Sequence, residues 1–129
     1  RFGKIRLLEE DDYEREQEEN SVAILPWGGS KGPAREAYDA VKKAGLPVSW
    51  YYTMYLNPLP PKMLEELKKK DLVLVPELNY QGQFANILRS QGVKAEAITQ
   101  YTGLPFKVRD LVKRVTEATE TVRKEAAGV

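Results

Sequence analysis

Two short stretches carry the side chains that could do chemistry in this chain. The first is Gly28-Gly29-Ser30-Lys31-Gly32-Pro33, set between an apolar run and a helical stripe. Glycines there let the backbone turn sharply and approach a ligand closely. A helix that follows offers unpaired N–H groups and a positive dipole end, and Lys31 adds a full charge. Together these would suit a phosphate or carboxylate. The spacing is neither of the two standard glycine-rich phosphate patterns, and the structural alternative is a tight turn with a serine cap. The second stretch is Pro76-Glu77-Leu78-Asn79-Tyr80-Gln81-Gly82-Gln83. Polar groups from Glu77, Asn79, Tyr80, Gln81 and Gln83 crowd around Gly82, and Glu77 falls where a strand should still be buried. A carboxylate there needs hydrogen bonds or a charged partner to stay ionised. Those groups would either line a polar site or satisfy the N–H donors of the next helix.

What the chain lacks narrows the chemistry. Its 129 residues contain no cysteine and no histidine. Disulfides, cysteine-ligated iron–sulfur clusters, thiol catalysis and histidine-based triads are therefore excluded within it. A cysteine-free chain fits a reducing cytoplasm. Apolar residues at 42% and charged residues at 30% describe one folded domain, and no apolar run nears the ~20 residues of a membrane helix. The chain starts at Arg1, which reads as a piece of something longer. Net charge is only +1, yet residues 1–20 hold eight acids against four bases. That N-terminal run reads as a solvated linker, mobile or loop-like over residues 9–20, because its like charges repel; the alternative is that it docks on a basic neighbour.

Stepping outward from the two polar stretches, alternating elements must hold them. Residues 21–27 form a compact apolar run, a buried strand with Pro26 near its end. Ala34, Ala37, Tyr38, Val41 and Ala44 mark a helix from Pro33 that Gly45 ends. Residues 47–55 are rich in aromatic and β-branched side chains, a second core strand. Met63, Leu64 and Leu67 mark a short helix after a proline-rich turn. Residues 71–76 are apolar on both faces, as in a parallel sheet. Phe84, Ile87 and Leu88 mark a helix, residues 93–99 a last strand, and Val108, Leu111, Val112, Val115 and Val122 a long amphipathic helix. Residues 4–8 alternate weakly and could be an edge strand. Such alternation predicts an α/β fold with helices on both faces of a parallel-rich sheet. Both polar stretches lie beyond strand carboxyl ends, where open α/β sheets bind ligands. Thr102 to Phe106 reads as a turn that packs Phe106 on the sheet. Trp50, Tyr51, Tyr52 and Tyr55 lack interleaved bases, so they read as core or interface rather than as a base-stacking platform.

Three segments in this order carry a resemblance: Gly28 to Ala37, Val75 to Phe84 with its Glu77-Leu78-Asn79 and Gly82-Gln83-Phe84, and Tyr101-Thr102-Gly103-Leu104-Pro105-Phe106. Over residues 22–106 the chain resembles the C-terminal domain of the α subunit of 2-oxoacid:ferredoxin oxidoreductases, a domain similar to that of transketolase. Its wording leans toward the 2-oxoglutarate type. Gly29 and Gln100-Tyr101-Thr102 depart from the usual family wording. The resemblance implies a three-layer α/β/α domain on a mixed, mostly parallel five-stranded sheet. Its first strand, residues 4–8, would be antiparallel, followed by an acidic linker to residue 20 and the α/β domain over 21–129. It also implies that the strand of residues 21–27 lies beside that of 71–76, so that both polar stretches flank one crevice.

The parent enzyme so implied uses thiamine diphosphate and iron–sulfur clusters to turn a 2-oxoacid, coenzyme A and oxidised ferredoxin into acyl-CoA, CO2 and reduced ferredoxin. Its partners would be the other α-subunit domains, the β subunit and ferredoxin. This chain matches no thiamine-diphosphate or cluster motif, so by itself it is expected to be inactive and to bind no cofactor. Two other readings stand beside that of a structural and assembly domain. One is a free-standing module that binds a small anion between Gly28, Gly29, Ser30, Lys31, Gly32 and Glu77, Asn79, Gln81, Gly82, Gln83. The other is a hydrolase or transferase with Glu77 as general base, for which no nucleophile or acid partner is visible.

Overall fold

Side chains alternate along a strand, and the run at residues 22–25 uses both directions. Val22 and Ile24 enter one apolar cluster, Ala23 and Leu25 another, and all four are buried. A strand apolar on both sides must lie inside a sheet covered on both faces. A computed structural model gives that arrangement and describes residues 13–55, 58–78, 82–100 and 104–128. Strands β1 (Glu14–Glu16), β2 (Val22–Ile24), β3 (Val48–Tyr52), β4 (Leu72–Glu77) and β5 (Ala95–Thr99) form one sheet in the order β1-β3-β2-β4-β5. β1 is antiparallel to β3, and every other pairing is parallel. The mixed sheet with an antiparallel first strand, and the neighbouring of β2 and β4, are as the resemblance implied.

Helices α1 (Lys31–Lys43) and α4 (Val108–Ala126) cover one face. Helices α2 (Pro61–Lys68) and α3 (Gln83–Ser90) cover the other. The first face is filled by Ala34, Ala37, Tyr38 and Val41 of α1 with Leu111 and Val115 of α4. The second is filled by Met63, Leu67, Phe84 and Leu88. Phe106 joins the first core, as expected, and Trp50 and Tyr51 are fully buried core residues on opposite faces.

Three expectations need correction. The antiparallel strand is Glu14–Glu16, inside the stretch read as a linker, while residues 4–8 lie outside the described part. The acids there are neutralised from the sheet side. Lys31 reaches Glu14 at 2.9 Å, Arg35 and Lys42 reach Glu16 at 2.5 and 3.4 Å, and the Trp50 indole donates to Glu14 at 3.1 Å. Repulsion that would keep the run solvated is thereby offset. The turn after β1 is also pinned, because the buried Lys70 ammonium donates to the Glu18 and Asn20 carbonyls at 2.6 and 2.5 Å. Second, α1 begins at Lys31 rather than Pro33. A proline in the first turn loses an N–H that has no intrahelical acceptor anyway. Third, regular β2 pairing stops at Ile24, short of Trp27. The chain runs on beside β4, with Leu25 and Trp27 donating to the Leu74 and Pro76 carbonyls. Pro76, lacking an N–H, cannot return the bond that parallel register would direct to the Leu25 carbonyl.

Candidate functional site

The two polar stretches meet at the carboxyl edge of the sheet, since β2 and β4 are neighbours and both run toward it. The link between them is direct. Trp27 donates its N–H to the Pro76 carbonyl at 3.1 Å. The Ser30 hydroxyl, fully buried, lies 2.8 Å from the Trp27 carbonyl and 2.5 Å from the Pro76 carbonyl, and it accepts from the Trp27 N–H at 3.2 Å. Gly28–Ser30 is a 3-10 turn rather than an open loop, and Gly28 enters it at φ +64°, a conformation that disfavours a side chain. Lys31 and Gly32 are already the first residues of α1. This is the tight-turn alternative, with Ser30 fastening the turn to β4 instead of capping α1.

Glu77 ends β4 with 1% exposure, and its carboxylate is shared between two backbone donors. Phe84 N–H reaches Oε1 at 2.9 Å and Ala85 N–H reaches Oε2 at 2.8 Å. A helix leaves its first N–H groups without intrahelical acceptors and carries a positive N-terminal field, so a buried carboxylate is satisfied there on both counts. The turn that delivers α3 to Glu77 depends on Gly82, at φ +64°, where a Cβ would stand 3.1 Å from that of Ala97. Trp27 packs on Phe84 with ring centroids 4.8 Å apart and the rings tilted by 32°. A Cβ on Gly29 would sit 3.6 Å from the Leu78 side chain. The 3-10 turn, the end of β4 and the start of α3 are thus one locked assembly.

Of the predicted site residues, Gly28, Gly29, Ser30, Glu77, Gly82 and Gln83 come together at this edge. Asn79 and Gln81 lie outside the described residues. Lys31 turns toward β1. Its ammonium pairs with Glu14 and sits 4.0 Å from the centre of the Tyr52 ring, on the β1–β3 side of the molecule. Gly32 follows it into the first turn of α1.

Two ionic clusters escaped the reading of the sequence. Glu66 on α2 accepts from Tyr51 at 2.7 Å, Arg15 at 2.6 Å and Tyr13 at 3.1 Å. Burial alone would raise its pKa, but those three donors hold it below the ordinary carboxylate value. Burial, reinforced by the Glu66 charge, pushes Tyr13 up to about 12, and burial with the Glu66 hydrogen bond drives Tyr51 higher too. Lys70 is the second. Burial lowers its pKa, partly countered by Glu66, Glu19 and Glu18. Its ammonium also lies 3.4 Å from Ser49 Oγ and 5.4 Å from the Tyr51 ring centre. A signal for the β1 clasp was present in the spacing. Glu14 and Glu16 share one strand face, and Lys31, Arg35 and Lys42 fall on one helix stripe. Among the described residues, no buried side-chain N or O atom is left without a hydrogen bond, and no cluster of acidic side chains is arranged to hold a metal.

No family model matches the chain. It is 32% identical over 112 residues to the 2-oxoglutarate oxidoreductase subunit KorA of Mycobacterium tuberculosis (strain ATCC 25618 / H37Rv), covering 86% of this chain and 16% of that protein. It is 30% identical over 132 residues to subunit alpha of 2-oxoacid:ferredoxin oxidoreductase 2 of Aeropyrum pernix, covering 93% and 21%. Its homologues are 2-oxoacid:ferredoxin oxidoreductase α subunits. The chain spans about a fifth or less of those relatives. Among solved structures it superposes on the 2-oxoglutarate:ferredoxin oxidoreductase of Magnetococcus marinus, a structure with 2-oxoglutarate, coenzyme A and succinyl-CoA bound. The TM-score is 0.76 at 33% identity, over 84% of this chain and 20% of that one. A split-gene transketolase, described as an inactive beta4 tetramer, shares the fold at a TM-score of 0.59 and 18% identity.

Proposed function

We propose that this chain serves as a structural and assembly domain within a thiamine-diphosphate-dependent 2-oxoacid:ferredoxin oxidoreductase α subunit. On this reading the whole cytoplasmic enzyme converts a 2-oxoacid, coenzyme A and oxidised ferredoxin into acyl-CoA, CO2 and reduced ferredoxin, with 2-oxoglutarate as the favoured substrate. The remaining α-subunit domains, the β subunit and ferredoxin are its partners. The observation that carries a bracing role over a binding one is the commitment of Glu77. Both carboxylate oxygens are spent on the Phe84 and Ala85 N–H groups. Lys31, the cation an anion module would need, is paired with Glu14 of β1.

One of the parent enzyme's groups does not suit this chain's own donors. An iron–sulfur cluster needs thiolates, and the chain has no cysteine. No step of the reaction is therefore assigned to these residues. They hold a sheet edge and two helices in fixed register. The test is an assay of the protein that carries this chain, purified with its partner subunit. Coenzyme A-dependent reduction of viologen with 2-oxoglutarate or another 2-oxoacid is expected. Its absence with every 2-oxoacid tried, from a folded and cofactor-loaded preparation, would remove the reading.

A further inference from the structure

The two ends of the sheet differ in character. At the amino edge, where β2 to β5 begin, the exposed side chains include Lys43, Glu18, Glu19, Lys69, Asp71 and Lys94. The carboxyl edge carries charge too, at Glu14, Lys62, Lys107 and Arg109, but it adds exposed apolar side chains. Met54 is 72% exposed, Tyr55 36% and Leu104 63%, and these are the exposed large apolar side chains of the described residues. Met54 and Tyr55 follow β3, and Leu104 follows β5. These strands run parallel to one another, so all three residues belong to the same edge. β3 and β5 are three strand spacings apart in the order of the sheet. At ~4.8 Å per spacing the apolar residues span about 14 Å, well inside a footprint of ~800 Å² per partner. Single exposed apolar residues need no explanation, but the gathering of the large ones at one edge, among the described residues, is the pattern of a covered surface.

We infer that this carboxyl edge docks on the remainder of the α subunit, with Met54, Tyr55 and Leu104 as the apolar contacts and the charged amino edge facing solvent. The occupant follows from length. The matched relatives are several times longer than this chain, which covers 16–21% of them, so most of such a subunit lies outside it. The inference rests on the proposed function and adds the orientation of the domain. A second copy of this chain and a separate subunit are the competing occupants.

Because the chain has no cysteine, single reporters can be placed in it. Met54→Cys, Leu104→Cys and, at the amino edge, Lys94→Cys would be made in the protein that carries this chain. Maleimide labelling of each site would be followed by peptide mass spectrometry, in the assembled enzyme and in the separated α subunit. Docking within the subunit requires both carboxyl-edge sites to label at least about tenfold more slowly than Lys94→Cys in both preparations. Fast labelling of both in an enzyme that still oxidises a 2-oxoacid overturns the docking and leaves the proposed function standing. Slow labelling only in the assembled enzyme assigns the edge to another subunit or copy and also overturns it. If no 2-oxoacid oxidation is found, the proposed function fails and the inference falls with it.

Discussion

Replacing Glu77 by glutamine changes one atom of a buried clasp and tests what that clasp does. In the native chain Oε1 and Oε2 accept from Phe84 and Ala85 at 2.9 and 2.8 Å, with 1% of the residue exposed. Glutamine keeps the shape but can accept with one oxygen only. Its amide NH2 then faces a backbone N–H, donor against donor. One charge-assisted bond is lost, about 1.5–3 kcal/mol, and one buried N–H is left without an acceptor, about 1–3 kcal/mol. These terms overlap, and the helix-end field contributes roughly 0.3–1 kcal/mol more. A total of about 2–4 kcal/mol is expected. For a chain of this size each kcal/mol moves the melting temperature by about 3–5 °C, so Glu77→Gln should melt roughly 6–20 °C lower. Urea unfolding followed by tryptophan fluorescence suits the measurement, since Trp27 packs on Phe84 at the clasped helix end. A Glu77→Gln protein within about 0.5 kcal/mol of the parent, with an unchanged slope in urea, would refute the clasp.

Ser30→Ala removes the hydroxyl that ties the 3-10 turn to β4 and should cost about 1–2 kcal/mol in the same urea experiment. Lys70→Met leaves the Glu18 and Asn20 carbonyls without their ammonium partner; amide exchange across residues 14–20 should rise while that of β4 changes little. Acid should loosen the same segment. Glu14, Glu16 and Glu66 are held below their ordinary value of 4.5, so the stability they contribute is complete above about that pH and is lost as pH falls through their lower folded values. Amide exchange at β1 that stayed flat through this window would contradict the linkage. Tyr51→Phe deletes one of the three donors to Glu66 and should shift the acid loss of β1 to higher pH.

Much of the layout could be read from periodicity. The two-faced apolar run at 72–75 marked a covered parallel strand, and the stripe of Ala34, Ala37, Tyr38 and Val41 marked the buried face of α1. Glu77 stood out because a carboxylate at the end of such a strand has few ways to remain ionised, and accepting helix N–H groups is one of them. What could not be read was non-local. β1 forms because bases on α1 and the Trp50 indole, some 17 to 36 positions away, neutralise Glu14 and Glu16. The sequence offers an acidic run and a basic helix stripe, but nothing local says that the two meet. The partner of Lys31 was hidden for the same reason, since its position beside glycines pointed to a ligand while Glu14 lies in an earlier segment. The Lys70 clamp depends on carbonyls of a turn whose path is fixed only once β1 has paired with β3.

The central claim is that Glu77 and the turns around it brace a sheet edge and take no part in chemistry. It is tested most directly by the kinetics of Glu77→Gln in the intact protein that carries this chain, assayed for the proposed 2-oxoacid oxidation well below its melting temperature. Bracing predicts kcat and KM for the 2-oxoacid within about twofold of the parent, alongside the lowered melting temperature. A fall in kcat of about a hundredfold or more with the melting temperature unchanged would contradict it and move Glu77 into the reaction.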